Sequence, residues 1–336
     1  MIIDAHHHYM PKKVFEKFVD PSKGAVRVLN EKQDFIFNPW LVDTDKHLRD
    51  MDEAGIDMAA LTLAQRNDSG KEICRWTNEE TAEVVLSHPD RFIAVACLPQ
   101  DDPEAAEAEV EYAIKHLKMP AISISTSMYP DIRLNTKEYM WPIYKKAAEL
   151  DVPIFIHPNL RPVGSATECT INRTISRGVD VAEGILRLMY DVLPEFPTLK
   201  FVIPHMGGAF LGLKGRTQAF FESTKPLQGI PMPEELKLIG KTPNEQKEFG
   251  MLEPYNELFN RLYIDGAGSG GWMPIVHLAM MTVKHDKLVW GTDYPYEIHD
   301  GRDLKSYIDN VKAMDIPEES KKGFLGDNLA RLLKLI

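Results

Sequence analysis

Eight short apolar runs recur along the 336 residues, and helix-like segments separate them. The runs cover residues 2–8, 56–64, 92–98, 121–125, 153–157, 199–203, 261–265 and 287–291. Strands that alternate with helices pair in parallel, because a helix makes the crossover from one strand to the next. Eight such units with no linker or low-complexity tract predict an α/β fold, a (β/α)8 TIM barrel with loop insertions and C-terminal helices. It forms a single domain over 1–336, with insertions at about 12–43 and 225–257. The length suits a barrel with insertions, and 44% hydrophobic residues can fill its core. A doubly wound open sheet would place a glycine-rich turn after its first strand, where this chain has histidines.

Local signals set the expected helix ends. Asp43 caps a helix that runs to about Ala54, with Gly55 beyond it. Thr77 and Glu80 make a capping-box pattern for a helix stopped by Pro89, and Asp102-Pro103 opens the next one. Further helices are expected from Pro142 to Leu150 and over 179–193, 207–224, 273–284 and 302–313.

A formal charge of −11 and a pI near 5.5 argue against nucleic acid or an anionic membrane as partner. A small anionic substrate needs only a few local arginines and is compatible with that balance. Cys74, Cys97 and Cys169 are odd in number and lack C-x-x-C spacing, so no disulfide framework is expected. No apolar run approaches the roughly 20 residues that span a bilayer, and nothing resembles a signal peptide. The expected location is the cytoplasm.

In a parallel barrel the active site is built where the strands end. His6 and His8 stand there after the first run, His157 after the fifth, His205 after the sixth and Asp293 after the eighth. Strand alternation puts Asp4, His6 and His8 on one face and His7 on the other. Two imidazoles at the His6-x-His8 spacing can reach one divalent ion. His47, His88, His116, His277 and His285 fall in or near helices and read as solvated or packed; His299 lies in the loop after the eighth run, where it could line the pocket, although a role outside the site is favoured. The fourth run ends Ser123-Ile124-Ser125-Thr126-Ser127, without a lysine.

These landmarks carry a resemblance. Ile3-Asp4-Ala5-His6-His7-His8, Met51-Asp52-Glu53-Ala54-Gly55-Ile56 and Pro153-Ile154-Phe155-Ile156-His157-Pro158 belong to it. So do His205-Met206-Gly207-Gly208, Gly215-Arg216, Trp290-Gly291-Thr292-Asp293-Tyr294-Pro295 and Gly326-Asp327-Asn328. Together they resemble the amidohydrolase-related branch of the amidohydrolase superfamily, nearest its carboxymuconate-semialdehyde decarboxylases. The resemblance implies that His6, His8, His157 and Asp293 hold one divalent metal beside His205 as an acid–base or polarising group. Binuclear relatives bridge two metals with a lysine on the fourth strand, so its absence here implies a mononuclear site. Three imidazoles and a carboxylate suit zinc, with manganese as the alternative. Asp4 is a candidate for orienting a ligand histidine, equally balanced against a hydrogen bond to backbone.

The resemblance favours a non-oxidative decarboxylase of a small unsaturated or aromatic carboxylic acid, with His205 and Asp293 relaying protons. Phenol-acid decarboxylases of the branch often carry Glu in place of the first histidine, which sets His6 nearer the muconate type. A metal-dependent hydrolase of a lactone or amide is the alternative, and a barrel that keeps the metal without catalysis ranks last. Arg49, Arg66, Arg161 and Arg216 are the candidate partners for a substrate carboxylate. Arg216 has the family's spacing, eleven residues after His205. In the resembled decarboxylases that arginine serves the neighbouring subunit's site, which implies a homodimer.

Overall fold

The computed structural model describes residues 1–30, 34–63, 67–128, 131–158, 168–221 and 254–336. Its centre is a sheet of eight parallel strands: β1 (Ile3–His8), β2 (Met58–Thr62), β3 (Phe92–Cys97), β4 (Ala121–Ser125), β5 (Ile154–His157), β6 (Phe201–Ile203), β7 (Tyr263–Asp265) and β8 (Leu288–Val289). They pair in chain order. Backbone hydrogen bonds close the ring: Ala5 N donates to Trp290 O at 2.8 Å, Asp293 N to His6 O at 3.0 Å and His8 N to Tyr294 O at 2.7 Å. The chain therefore forms the expected (β/α)8 barrel.

Alternate strand residues divide between two apolar clusters. Ala59, Leu61, Phe92, Ala94, Ile122 and Ile154 pack outward with helix residues such as Val110, Ile143, Ile185 and Val276. Ala60, Ile93, Val95, Phe155, Val202 and Val289 pack inward, together with Leu329, Leu332 and Leu333 at the C-terminus. Ile3, the first residue of β1, joins this inner cluster, so the C-terminal leucines plug the barrel where its strands begin. The opposite end is left for polar residues.

β1 departs from plain alternation. Ile3 and Ala5 belong to the inner cluster. His6 and His8 nevertheless also face inward, because the pairing with β2 shifts register between Asp4 and His7. A bulge of this kind exchanges the two faces of a strand. Asp4 is therefore not on the face of His6, as alternation predicts, but meets His7 instead, 3.0 Å from Asp4 Oδ2 to His7 Nδ1.

Three helices start earlier than local signals suggest. The helix assigned to Thr77 runs Lys71–Ser87, and the Thr77 hydroxyl bonds back to Ile73 O at 2.7 Å from the helix interior. The helix expected from Pro142 begins at Lys137, its buried Met140, Trp141, Ile143 and Tyr144 outweighing the lost proline hydrogen bond. After β5, Cys169–Ile171, Asn172–Ser176, Arg177–Arg187 and Leu188–Val192 form one helical run, ahead of the expected start at 179.

The 12–43 insertion supplies a short helix, Lys12–Phe18, and an antiparallel hairpin, Val26–Leu29 with Asp34–Phe37. Buried Asp34 fastens this hairpin to the helical run after β5. Arg27 donates to it through Nε at 2.7 Å and Nη2 at 2.8 Å, and Asn172 Nδ2 donates at 3.1 Å. Arg177 Nη2 donates to the Asp34 carbonyl at 3.0 Å. Of the expected 225–257 insertion, only 254–257 lie within the described residues.

After β6 the backbone turns through four consecutive positive φ angles, from 56° at His205 to 59° at Gly208. A Cβ on Gly208 would stand 2.4 Å from the Gly178 carbonyl oxygen. Gly208→Ala should thus destabilise the fold by about 1–3 kcal/mol, seen as a lower thermal midpoint. An unchanged midpoint would contradict this close approach.

Candidate metal centre

His6, His8, His157 and Asp293 converge where the strands end, all buried, with one ligand atom from each within 4.8 Å of the others. His157 and Asp265 each lie two residues past an inward-facing apolar residue, Phe155 and Tyr263. Strand alternation therefore aims both into the site. Asp293 follows β8 with φ 55°, and His205 follows β6 with φ 56°. Both stand in the left-handed region that side chains other than glycine seldom adopt. The Asp293 N–H to His6 O and the His205 N–H to Asp265 Oδ1, at 2.9 Å, hold these turns.

What stands behind each ring fixes its proton. His6 Nδ1 donates to Asp265 Oδ2 at 2.8 Å, His8 Nδ1 to Thr62 O at 3.3 Å and His157 Nδ1 to Pro158 O at 2.7 Å. A carboxylate and two carbonyls are acceptors only, so each ring carries its proton on Nδ1 and turns the Nε2 lone pair inward. His6 Nε2 and His8 Nε2 lie 3.2 Å apart, and Asp293 Oδ1 is 2.9 Å from His8 Nε2 and 3.6 Å from His6 Nε2. This donor set fits a divalent cation.

The electrostatics agree. Burial opposes a charge on His6, yet Asp265, followed by Asp293, lifts its pKa to about 9, so without a cation the ring holds a second proton, on Nε2, which an incoming metal ion displaces. Burial lowers His8 and pushes His157 well down, which leaves both rings neutral and able to ligate. Burial also works against the Asp293 carboxylate, but the hydrogen bond to His8 and the potential of His205 hold it well below the usual range.

His205 stands beside this set. Its ring stacks on His6 with centroids 5.1 Å apart, and its Nε2 is 4.0 Å from Asp293 Oδ1. That nitrogen is buried and has no hydrogen-bond partner among the described residues, the mark of a group awaiting a ligand. Burial lowers its pKa to about 4, so it is neutral at pH 7.

Asp4 bonds the His6 backbone N–H at 3.0 Å, the Thr292 hydroxyl at 2.6 Å and His7. The ring of His6 is held by Asp265, which sequence reasoning passed over although it ends the seventh strand. A cavity of about 580 Å³ opens over His205 and Asp293. Its walls include Trp40, Arg173, Arg177, Tyr296, Glu297 and His299. His299, read from sequence as outside the site, stacks on Trp40 at 5.7 Å. Arg49 is exposed on Thr44–Ala54 and Arg216 on Phe210–Phe221, and neither lines the cavity. Arg66 and Arg161 lie outside the described residues. Arg173 and Arg177 went unnoticed because their segment reads as a loop. Their four-residue spacing after the strand ending in His157 was the available signal.

A family model described as amidohydrolase matches residues 3–335. The chain belongs to the amidohydrolase family. This amidohydrolase is 25% identical over 315 residues to the gamma-resorcylate decarboxylase of Polaromonas sp., covering 87% of each chain. It is 22% identical over 321 residues to the 2-amino-3-carboxymuconate-6-semialdehyde decarboxylase of Dictyostelium discoideum, covering 89% of this chain and 78% of that one. Its fold matches the crystal structure of 5-carboxyvanillate decarboxylase from Novosphingobium aromaticivorans, which was complexed with manganese and 4-hydroxy-3-methoxy-5-nitrobenzoic acid. The TM-score is 0.76 at 20% identity, over 99% of this chain and 96% of that one. No helix among the described residues is long and apolar enough to cross a membrane.

Asp265→Asn separates the two jobs of this carboxylate. The amide oxygen still accepts from His205 N and Ala267 N, but the amide nitrogen faces His6 Nδ1 and drives the proton onto Nε2. Metal affinity should fall roughly 10–100-fold with the fold intact, measured by competition with a chelating dye. Wild-type affinity would contradict the assigned tautomer.

Proposed function

We propose that this amidohydrolase is a metal-dependent, non-oxidative decarboxylase of a small unsaturated or aromatic carboxylic acid, acting as one domain over residues 1–336. The observation that carries it is the convergence of three Nε2 lone pairs and Asp293 beneath a cavity lined by arginines. Both curated relatives described above are named decarboxylases. The ligands are His6, His8, His157 and Asp293, and zinc is the proposed ion on the strength of its three imidazoles. The manganese found in the structural neighbour makes that ion the rival.

A bound divalent ion supplies a Lewis-acid anchor for substrate oxygens. The chain's residues do the rest. The bond to the departing carboxylate breaks, its electron pair stays on the ring or vinyl carbon, and CO2 leaves. His205, neutral at rest, takes up a proton from solvent, passes it to that carbon and returns to the neutral form, with Asp293 completing the relay. Net consumption is one proton per CO2, and no redox cofactor enters. A lactone or amide hydrolase could use the same set, with His205 steadying the developing oxyanion. Parallel assays of CO2 and acid release over carboxymuconates, hydroxybenzoates and lactones distinguish the two.

The protein as purified should hold about one equivalent of divalent metal and lose activity on chelation. His205→Ala should keep the metal and lose roughly 10²–10⁴ in turnover, whereas His157→Ala should lose both. Two tightly held ions, or full activity after verified metal removal, would overturn the proposal.

We further propose a two-fold homodimer in which Arg216 serves the neighbouring site. Its helix, Phe210–Phe221, continues through Gly212 and Gly215. The positive-φ turn over 205–208 precedes that helix, so helical rise accounts for only about 9 Å, from Phe210 to Arg216, and the support for a role in the neighbouring site is that Arg216 is exposed and does not line the cavity of its own subunit. His205→Ala and Arg216→Ala homodimers should each be nearly inactive, and co-refolding them should restore activity. No recovery in verified mixed dimers, or an active monomer, would remove Arg216 from the partner's site.

A further inference from the structure

The loop after β7 runs Gly266-Ala267-Gly268-Ser269-Gly270-Gly271, and four glycines in six residues are an entropically costly way to build an ordered turn. The loop is nevertheless well tied. Ala267 N donates to Asp265 Oδ1, Tyr307 Oη to Gly266 O and Gly270 N to Glu297 Oε2, each at 3.0 Å. Asp265 Oδ1 also receives the His205 N–H at 2.9 Å, so one oxygen holds this loop and the turn bearing His205 side by side. Gly268 stands at their contact, with φ 78°. A Cβ there would lie 2.3 Å from His205 Cβ, 2.6 Å from its Cα and 2.7 Å from its Cγ. These atoms are the root of the side chain, which cannot swing aside as a flexible tip can. Gly270, on the same loop with φ 53°, would put its Cβ within 4 Å of nothing among the described residues. Gly268 therefore answers to His205 as well as to its own turn.

With Gly268 in place the His205 ring stacks on His6, centroids 5.1 Å apart, and its Nε2 lies 4.0 Å from Asp293 Oδ1. We propose that Gly268 is a positioning residue for proton delivery, the side chain it lacks leaving His205 the room to stand beside the metal ligands. This rests on the reading that His205 passes the proton, and deepens it by naming what sets the place of the ring. Any side chain at 268 must push the root of His205. Because Asp265 pins both backbones, the displacement passes to the ring. A shift of about 1 Å at a reacting group costs on the order of 10²-fold in rate.

The test compares Gly268→Ala with Gly270→Ala, since both place a Cβ on a left-handed backbone but only the first meets His205. Zinc-loaded Gly268→Ala should keep its metal, hold KM within about threefold and lose roughly 10²-fold in kcat for CO2 release from 2,6-dihydroxybenzoate. Gly270→Ala should keep kcat within about threefold. In crystals the Gly268→Ala ring should have left the stack on His6, and the Gly270→Ala ring should not. Stability carries the same comparison without activity. Gly268→Ala should lower the thermal midpoint, and His205→Gly, which removes the crowded Cβ and Cγ, should relieve most of that loss. The penalty of Gly270→Ala should be the same in both backgrounds. Where Gly268→Ala alone does not fold, its double variant with His205→Gly should. Equal Gly268→Ala penalties in both backgrounds, a double variant that stays unfolded, or a ring still stacked at full turnover would overturn the proposal. Equal penalties with an inactive His205→Gly would remove the positioning role and keep the proton role. A fully active His205→Gly would remove the proton role, while the stability cycle still reads the contact. If wild type releases no CO2 from this probe, the ring position and the stability cycle decide.

Discussion

The buried carboxylate of Asp265 is the interaction on which the rest of the site depends. One oxygen takes the Nδ1 proton of His6, and the other gathers the backbone N–H groups of His205 and Ala267. A single side chain on β7 thus sets the tautomer of a residue on β1 and the position of the loop after β6. Charge-assisted bonds of this kind are strong where water is excluded. The arrangement also raises the proton affinity of His6, whose second proton an incoming metal ion displaces.

That hub works because the barrel brings distant segments to one end. His6 and Asp265 are far apart in sequence, and closure of the ring between β8 and β1 makes them neighbours. The bulge in β1 is equally necessary. Without the register shift between Asp4 and His7, the residues sharing a face with Ile3 and Ala5 would not include His6 and His8. Asp4 and His7 take the other face, where Asp4, His7 and His47 form a buried chain ending on the Trp40 carbonyl. This chain braces β1 from behind and joins it to the segment that forms one wall of the cavity.

Much of this was legible in the chain. Period-two and helical patterns located all eight strands, and the polar residues ending them marked the cluster. Two things were not legible. Alternation is a local rule, and a bulge is set by pairing with β2, so the face of Asp4 could not be read from β1 alone. Asp265 ends its strand as His157 does, but a lone aspartate there has too many ordinary uses to stand out. The cavity wall was harder still. Arg173 lies in a helical run stabilised by tertiary contacts through Asp34 and Asn172, and such contacts override weak local propensity. Arg49 and Arg216 were as visible in sequence as Arg173 and Arg177, and only the fold separates exposed arginines from those facing the cavity.

The central claim is that four side chains, prearranged by Asp265 and two carbonyls, form one mononuclear metal site. Anomalous diffraction at the metal's absorption edge, on crystals of the protein loaded with it, tests this most directly. The account predicts a single peak bound by Nε2 of His6, His8 and His157 and by Asp293, with Asp265 still on His6 Nδ1. Two peaks, ligation through Nδ1, or Asp265 bound directly to the ion would contradict it.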